Sequence, residues 1–486
     1  MKDHTVILHM SDLHFCDREK SKNAATHSKV MTNFINNHQE MIKRFPEWSP
    51  DLLVITGDIA QSGTKKDFDE AKLFFEKLLL LPENKIKKKD VIVCFGNHDV
   101  DTNSIQFFPG QKNSYEDIDI KIKIDSQIFR PPKNEPLVEK HKLTCDKVAK
   151  YKHRFKNAEA FCSEMGFTPF ETFSGRKINK YKYSYGFRQI KNINFVCLNT
   201  EWNFWGKNDK DQIAKGHLQI GVDIYQEAVQ VLHNNEADFK PFEGTTQPSI
   251  VIFHRNYDYL HISEQVVEDL KSTDRNLGNL LRDHDIILNG HSHVSAVNEL
   301  GMQTQIIAGA SFDDKTLNDN AEPKELKNLC CNLIAIPNRL KPDEDNVCLV
   351  RTMKYLPNSI RSSWRLDDDT QEKNFKIERI SDTTSVKKCF EIIYDFNTTS
   401  NESKKKELAN EFLENYKLLN KKLLKLLLHK FVKFNEFHNE VKHWWKYALE
   451  RKDPTGYGTS ETGSGRGKPT EFKGLKESHE KTKNIE

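Results

Sequence analysis

The sequence predicts an α/β fold with a mainly parallel sheet, and three observations support this class. Short apolar runs of strand character alternate with segments of helical spacing over about the first hundred residues. Strands separated by helices in this way usually pair in parallel. Several of the apolar runs end directly in Asp, Asn or His. Side chains at the carboxyl ends of parallel strands commonly form the functional site of an α/β protein.

Length and composition predict either one large domain with additions or two to three domains, in a protein that does not span a membrane. The chain has 486 residues, of which 37% are hydrophobic and 30% charged. No window reaches the roughly 18 apolar residues of a spanning helix, and the first strand begins too early for a signal peptide. The nine cysteines, without a C-x-x-C pair, fit neither a disulfide framework nor a zinc ribbon. We therefore expect a cytoplasmic protein.

The elements of the first domain follow from apolar runs and from helical spacing. The predicted strands cover residues 5–10, 51–56, 91–95, 181–185, 193–198, 249–253 and 285–288. The predicted helices cover residues 34–43, 68–80, 145–165, 220–232 and 265–281. The first three strands thus have helical segments between them, which is the arrangement of βαβ units.

Five of these strands lead into side chains that can bind a metal ion or move a proton. In chain order the motifs are D-x-H, G-D, G-N-H-D, a single H and G-H-x-H. A solvated loop, a helix cap or a core histidine would explain any one of them. Five in succession at strand ends indicate one shared site. The residues are Asp12, His14, Asp58, Asn97, His98, Asp99, His254, His291 and His293.

The mixture of ligands predicts two divalent cations. Carboxylate, imidazole and amide groups suit manganese, which we favour, and also iron, zinc, cobalt or nickel, whereas the absence of cysteine argues against a structural zinc site. Two cations about 4 Å apart can clamp a phosphoryl group, generate hydroxide near neutral pH and stabilise a leaving oxygen. Asp58 is the natural bridge, because the charge of its carboxylate can be shared by both cations.

This ordered series of motifs resembles the calcineurin-like metallophosphoesterase superfamily over roughly residues 5–312. The resemblance implies a four-layer sandwich, with two mixed β-sheets flanked by helices, around a two-metal centre. It also implies that His98 donates a proton to the leaving group and that Asp99 orients it. By resemblance the ligands of the first metal are Asp12, His14, Asp58 and His293, and those of the second are Asp58, Asn97, His254 and His291.

Residues 57–63 and the run after His254 are most similar to the bacterial branch that includes cyclic-nucleotide phosphodiesterases. Members of that branch commonly carry a second His and a Pro after the metal-binding His, where this chain has Arg255 and Asn256. We expect Arg255 either to contact a phosphate or to form a surface salt bridge. The protein Ser/Thr phosphatases have an arginine pair with no counterpart near the G-D or G-N motif, which favours phosphodiester substrates.

The remaining sequence predicts additions to a catalytic domain of residues 1–382. An insertion at about 101–180 would either cap the site or form a solvated surface elaboration. Apolar runs at 329–336, 346–355 and 375–380 are expected to complete the second sheet, and the acidic run 367–369 to be a solvated turn. A helical extension at 383–450 and a disordered tail at 451–486 would follow.

Three functions remain open from the sequence. The first is hydrolysis of phosphodiesters, with nucleotide-type substrates. The second is a nuclease for DNA or RNA, similar to the double-strand-break repair nucleases of the superfamily. The third is a regulatory or scaffolding subunit that binds a partner protein, or a second copy of the chain, through helices at 400–450, where an apolar stripe lies beside lysines.

Overall fold

The computed structural model describes residues 3–19, 24–101, 153–167, 186–201, 247–256, 259, 284–300, 303–312, 329–341, 346–356, 363–366, 373–377, 392, 395 and 399–416. The strands are β1 (His4–Met10), β2 (Leu52–Thr56), β3 (Val91–Cys94), β4 (Gly186–Ile190), β5 (Ile193–Cys197), β6 (Ser249–Ile252), β7 (Ile286–Asn289), β8 (Ala296–Leu300), β9 (Gln303–Ile307), β10 (Cys330–Pro337), β11 (Asn346–Leu356), β12 (Ser363–Leu366) and β13 (Lys373–Ile377). The helices are α1 (Ala24–Arg44), α2 (Lys65–Leu79), α3 (Lys156–Met165) and α4 (Glu402–Tyr416), with 3₁₀ turns at Pro46–Trp48, Lys88–Asp90 and Asn97–Asp99.

The strands form two mixed sheets, which confirms the predicted α/β sandwich. The first sheet has the order β12-β11-β10-β1-β2-β3, with β13 paired to β11, and its β1, β2 and β3 are parallel. The second has the order β4-β5-β6-β7-β9-β8, in which β5, β6, β7 and β9 are parallel and the two edge strands are antiparallel. The carboxyl ends of the parallel strands within each sheet therefore lie at one edge.

Alternation along the central strands places apolar side chains on both faces of the first sheet. Leu53 and Ile55 of β2 belong to a cluster with apolar residues of α1, α2 and α3. Leu52 and Val54 belong instead to a cluster with residues of β5, β6 and β7 in the second sheet. Because successive side chains of a strand point to opposite faces, a nearly continuous apolar run fits a strand covered on both sides.

Helix α2 shows why local signals located the helices but not their ends. The predicted face is buried, from Phe68 through Leu78. The helix starts at Lys65 because the side chain of Thr64 accepts a hydrogen bond from Asp67 N while the Asp67 carboxylate accepts one from Thr64 N. Helix α1 also starts well before the predicted residue 34, and its His27 packs inward with Nε2 2.8 Å from the carbonyl oxygen of Leu13.

The expectation that residues 329–380 complete the second sheet is wrong. Strand β10 pairs antiparallel with β1, from His4 opposite Pro337 to His9 opposite Asn332, so it extends the first sheet. Strands β11, β12 and β13 follow it there. The second sheet contains instead the hairpin of β8 and β9, which was not predicted because Asn298, Thr304 and Gln305 interrupt its apolar pattern.

Other predicted segments lie outside the described residues. They are the strand at 181–185, the helices at 220–232 and 265–281, the acidic run 367–369, residues 417–486 and most of the insertion. The chain divides into two units, of which the first ends at Ile377 and contains all thirteen described strands, and the second contains α4. Within the described residues no helix has the length and apolar character required to cross a membrane.

Candidate metal centre

The predicted ligands come together at the carboxyl ends of five strands, drawn from both sheets. Loops after β1, β2 and β3 carry the first three motifs, and loops after β6 and β7 carry the last two. Within each of three groups the ligand atoms lie within 4.8 Å of one another. The groups are Asp12 with His14 and His293, His14 with Asp58 and His98, and Asp58 with His254 and His291.

Five of these residues have left-handed backbone conformations, with φ between 50° and 67°. They are Asp12, His14, Asp58, His291 and His293. Such a conformation costs a non-glycine residue about 1–2 kcal/mol, so the surrounding structure must impose it. For Asp12, His14 and Asp58, hydrogen bonds between the first two loops contribute, since Leu13 N and His14 N both donate to the carbonyl oxygen of Asp58, at 2.8 and 3.0 Å.

Two glycines allow the ligand loops to approach one another closely. A Cβ atom on Gly96 would lie 2.8 Å from Cγ of the Asp58 carboxylate. A Cβ atom on Gly290 would lie 2.9 Å from Cβ of Ser11 and 3.0 Å from Oδ2 of Asp12. The glycines of the G-N-H-D and G-H-x-H motifs are therefore required by close packing against the carboxylates of the other loops.

The first ligand group is built around the buried carboxylate of Asp12. Its Oδ2 accepts a hydrogen bond from His291 N at 3.0 Å, and its Oδ1 lies 3.3 Å from Nε2 of His293. Burial acts to raise the pKa of Asp12, but the hydrogen bond and charge of His293 outweigh it and lower the pKa to about 2. Burial, together with the charge of His98, lowers the pKa of His14 to about 3. An ionised carboxylate and a neutral imidazole are the forms that bind a metal ion.

The third ligand group is built around Asp58 and His254. His254 Nδ1 lies 2.6 Å from the carbonyl oxygen of Thr56, which can only accept, so this nitrogen carries the proton. Nε2 is thereby left as the ligand atom, 3.3 Å from Oδ2 of Asp58 and 3.2 Å from Oδ1 of Asn97. Burial acts to lower the pKa of His254, but the charge and hydrogen bond of Asp58 raise it to about 10, so beside this carboxylate alone Nε2 also carries a proton, which a cation bound at Nε2 would displace. The pKa of His291 is held well below its usual value by burial and by the charge of Arg255.

The donor set fits divalent cations. Asp12 and Asp58 bring two carboxylates that are at most 1% exposed into one site. Within the part of the chain that the structure describes, the buried Nδ1 of His14 has no hydrogen-bond partner. Buried polar atoms are normally paired, and a cation would satisfy such an atom together with the carboxylates.

His98 is held with one ring nitrogen turned away from the backbone. Its amide N donates to Oδ1 of Asp58 at 2.8 Å, and its Nδ1 lies 2.8 Å from the carbonyl oxygen of Gln61. Because that carbonyl can only accept, Nδ1 carries a proton and Nε2 is left for another partner. The ring is half-buried and stands edge-on to His14, with 4.7 Å between centroids.

The expected contact between Asp99 and the His98 ring is not made. The Asp99 carboxylate is buried and accepts hydrogen bonds from Ala60 N and Gly96 N, both at 2.9 Å. It therefore fixes the G-D loop to the G-N-H-D loop, and Gln61 holds the His98 ring instead. Burial and the nearby charge of Asp58 raise the pKa of Asp99 to about 7.

Arg255 corrects a second expectation. It is 1% exposed, and its Nε donates to Oε1 of Glu201 at 2.8 Å, so its ion pair is buried and little of it can reach a phosphate. The sequence did not identify Glu201 as the ion-pair partner of Arg255. Its signal is the polar run Asn199-Thr200-Glu201 directly after a buried strand, which has the same form as the metal-binding strand ends.

A sandwich with carboxylates and imidazoles converging at its strand ends defines an α/β protein with a candidate site for divalent metal ions. The family model for calcineurin-like phosphoesterases matches residues 5–295, more than half of the chain. The protein belongs to the calcineurin-like phosphoesterase family.

Solved structures that match this chain come from varied organisms. A dimetal phosphatase from Danio rerio is 10% identical, covers 77% of this chain and 99% of its own, and has a TM-score of 0.34. A single mutant of Vps29 from Entamoeba histolytica is 10% identical, with coverages of 76% and 100% and a TM-score of 0.27. A purple acid phosphatase from yellow lupin is 13% identical, with coverages of 78% and 54% and a TM-score of 0.32. Among curated proteins, none matched significantly.

Proposed function

We propose that the protein hydrolyses phosphodiesters of nucleotide type with the help of two divalent cations, of which manganese is favoured. The position of Asp58 carries the proposal. Its carboxylate belongs to two ligand groups, one with His14 and His98 and one with His254 and His291. A buried carboxylate shared in this way can bridge two cations, and two cations supply positive charge to a phosphoryl group and lower the pKa of a water molecule.

His98 would protonate the leaving oxygen. The Gln61 carbonyl fixes the ring through Nδ1, so Nε2 is the atom that would carry the transferred proton. Its amide bond to Oδ1 of Asp58 keeps the backbone of His98 against the metal-binding carboxylate. The proton donor would thus stay beside the phosphoryl group without being needed as a ligand.

The charges near the site support a diester over a monoester. A phosphate diester carries a single negative charge, and a monoester carries close to two at neutral pH. The arginine beside the ligand set, Arg255, is neutralised by Glu201. In the described part of the site, the groups that would contact the substrate are therefore the two proposed cations and His98. Without a further arginine for a second negative charge, this set favours a singly charged phosphate.

The test uses the full chain loaded with Mn²⁺. We expect faster turnover of bis-p-nitrophenyl phosphate than of p-nitrophenyl phosphate, followed by activity on cyclic nucleotides. Asp58→Asn should reduce the rate by at least about 100-fold, since the carboxylate shared by both ligand groups loses its charge. Asp69→Asn is the matched control, because this exposed residue pairs with Lys65 on the surface of α2 and should leave the rate unchanged.

Two results would contradict the proposal. A strong preference for the monoester would exclude the proposed substrate class. Equal activity of the Asp58→Asn variant and the native protein would exclude the proposed centre.

A further outcome would favour the nuclease instead. It is cleavage of single-stranded DNA or RNA that falls steeply with salt, with no activity on cyclic nucleotides, because phosphate contacts release counterions.

The cysteines support the cytoplasm as the proposed compartment. Seven cysteines in the described part of the chain are free thiols, and six of them are buried. Free thiols of this number are typical of a reducing compartment.

A further inference from the structure

A buried ion pair lies directly behind the third ligand group. Arg255 and Glu201 are at most 1% exposed, and Nε of the arginine donates to Oε1 of the glutamate at 2.8 Å. Arg255 follows His254 in the chain, and Glu201 lies in the loop after β5, the strand that pairs with β6. The pair thus connects the carboxyl ends of two neighbouring strands at the edge that carries the site.

The glutamate is held by its own loop. Oγ1 of Thr200 donates to Oε1 of Glu201 at 3.0 Å, and Glu201 N donates to Oδ1 of Asn199 at 2.8 Å. The backbone of Arg255 joins the same set, since its N donates to Oγ1 of Thr200 at 3.4 Å. The guanidinium of Arg255 is therefore held by Glu201, which is itself held by the hydrogen bonds of its own loop.

A series of ring contacts runs from Arg255 to the ligands. The guanidinium carbon lies 5.3 Å from the centroid of the Tyr259 ring. The Tyr259 ring stands edge-on to the ring of His291, with 4.8 Å between centroids and an angle of 88°. The His291 ring in turn stands edge-on to that of His254 at 5.1 Å. Tyr259 thus packs between the arginine and the His291 imidazole.

Stability alone does not explain this arrangement. A buried ion pair can often be replaced by apolar residues of similar size without loss of stability, because both charges must give up their hydration. Such a pair is better explained by what it positions. Here the neighbours of Arg255 are a metal-ligand candidate, His254, and the tyrosine that contacts another, His291.

We propose that Arg255, anchored by Glu201, is a positioning residue for the second metal ion. Through the Tyr259 ring it holds the His291 imidazole in the orientation in which, together with Asp58 and His254, it binds that ion. The inference rests on the proposed two-metal function. It assigns a role to the position at which this chain departs from the His-Pro pattern of similar phosphodiesterases.

Metal binding by the full chain is the test, independent of activity. After loading with Mn²⁺ and removal of free metal, we expect two bound ions in the native protein by elemental analysis and a spin-coupled electron paramagnetic resonance spectrum. Arg255→Met and Tyr259→Ala should weaken the second ion about 10–100-fold, the usual effect of losing a residue that supports a ligand. Their spectra should become those of a single, uncoupled ion.

Two variants are matched controls. Tyr259→Phe keeps the ring that contacts His291 and should retain both ions. Arg351→Met removes an arginine of the first sheet whose guanidinium carbon lies 5.2 Å from the centroid of the Trp48 ring. This variant should also retain both ions.

Arg255→Met leaves the charge of Glu201 buried, so this variant alone could fail to fold. The double variant Arg255→Met with Glu201→Met removes both charges and keeps the volume apolar. If the double variant folds and binds both ions with native affinity, the proposal is overturned. A native protein that binds fewer than two ions would instead overturn the proposed function, and this inference with it.

Discussion

At the scale of single residues, the positions of two side chains bear on the roles that we propose for metal binding and proton transfer. His98 shares a ligand group with His14 and Asp58, yet its Nδ1 is engaged by Gln61. Asp99, its neighbour, binds the backbone of two loops and not the His98 ring. Nε2 of His98 is therefore the nitrogen available for the proton transfer that we propose, and Asp99 holds in place the loop that carries His98.

Substitution of His98 tests this separation. We expect His98→Ala to lower kcat about 100–10,000-fold for a diester with a poor leaving group, because the alkoxide must leave without a proton. The loss should be much smaller for p-nitrophenolate, which leaves readily unprotonated. Bound manganese should stay at the native level, so kcat for both substrates is measured beside the metal content. Loss of metal from the variant would instead identify His98 as a ligand.

At the scale of elements, the loops after the strands determine the site more than the strands do. The loops after β1, β2 and β7 contain left-handed residues, and the site loops contact each other through backbone hydrogen bonds and close glycine packing. A loop of this kind does not tolerate an added side-chain atom where another loop approaches it.

A pair of glycine substitutions tests this packing. Gly290→Ala should displace the Ser11 and Asp12 loop, since the added Cβ would lie 3.0 Å from Oδ2 of Asp12, and should reduce metal binding. Gly166→Ala is the control at the end of α3. There φ is +66° and the nearest atom, Cδ of Lys88, lies 3.7 Å away, so only about 1–2 kcal/mol of stability should be lost.

The measurements are metal content and the free energy of unfolding in denaturant. Native metal content in the Gly290 variant would show that the Asp12 loop adapts to the added atom. The close approach of the two loops would then not be required for the site.

At the scale of the whole molecule, the site connects the two sheets. Asp12 and Asp58 follow strands of the first sheet, and His254 and His291 follow strands of the second. A cation held by ligands from both sheets binds the folded chain and not the unfolded chain, in which these ligands are far apart. It should therefore stabilise the fold by mass action.

Removal of metal tests this connection. A ligand present at about 100 times its Kd stabilises a fold by roughly 2.7 kcal/mol. Because a domain of this size unfolds with an entropy of about 0.8 kcal/mol/K, chelation should accordingly lower the Tm of the full chain by roughly 3 °C for each cation removed. In the Asp58→Asn variant the chelator should have little effect, and Asp69→Asn should respond as the native protein does. An unchanged native Tm after chelation, with metal removal verified, would count against a metal-linked sandwich.

The sequence predicted an element or a candidate ligand correctly wherever the residues that determine it lie in one strand, one helix or the loop that follows directly. The apolar run before Gly57-Asp58 predicted β2, and the spacing from Phe68 to Leu78 predicted the buried face of α2. All the proposed metal ligands lie within or beside one of the three ligand groups. The order of motifs was sufficient because parallel strands bring their carboxyl ends to one edge.

By itself, then, the sequence determined the α/β class, the family resemblance and the identities of the candidate ligands. Only the tertiary structure decided that β10 joins β1, that Asp99 binds two loops, and that Arg255 is buried against Glu201. These partners are distant in the chain, and many pairings satisfy the same local pattern. Which one forms depends on packing of the complete sandwich, which no single segment encodes.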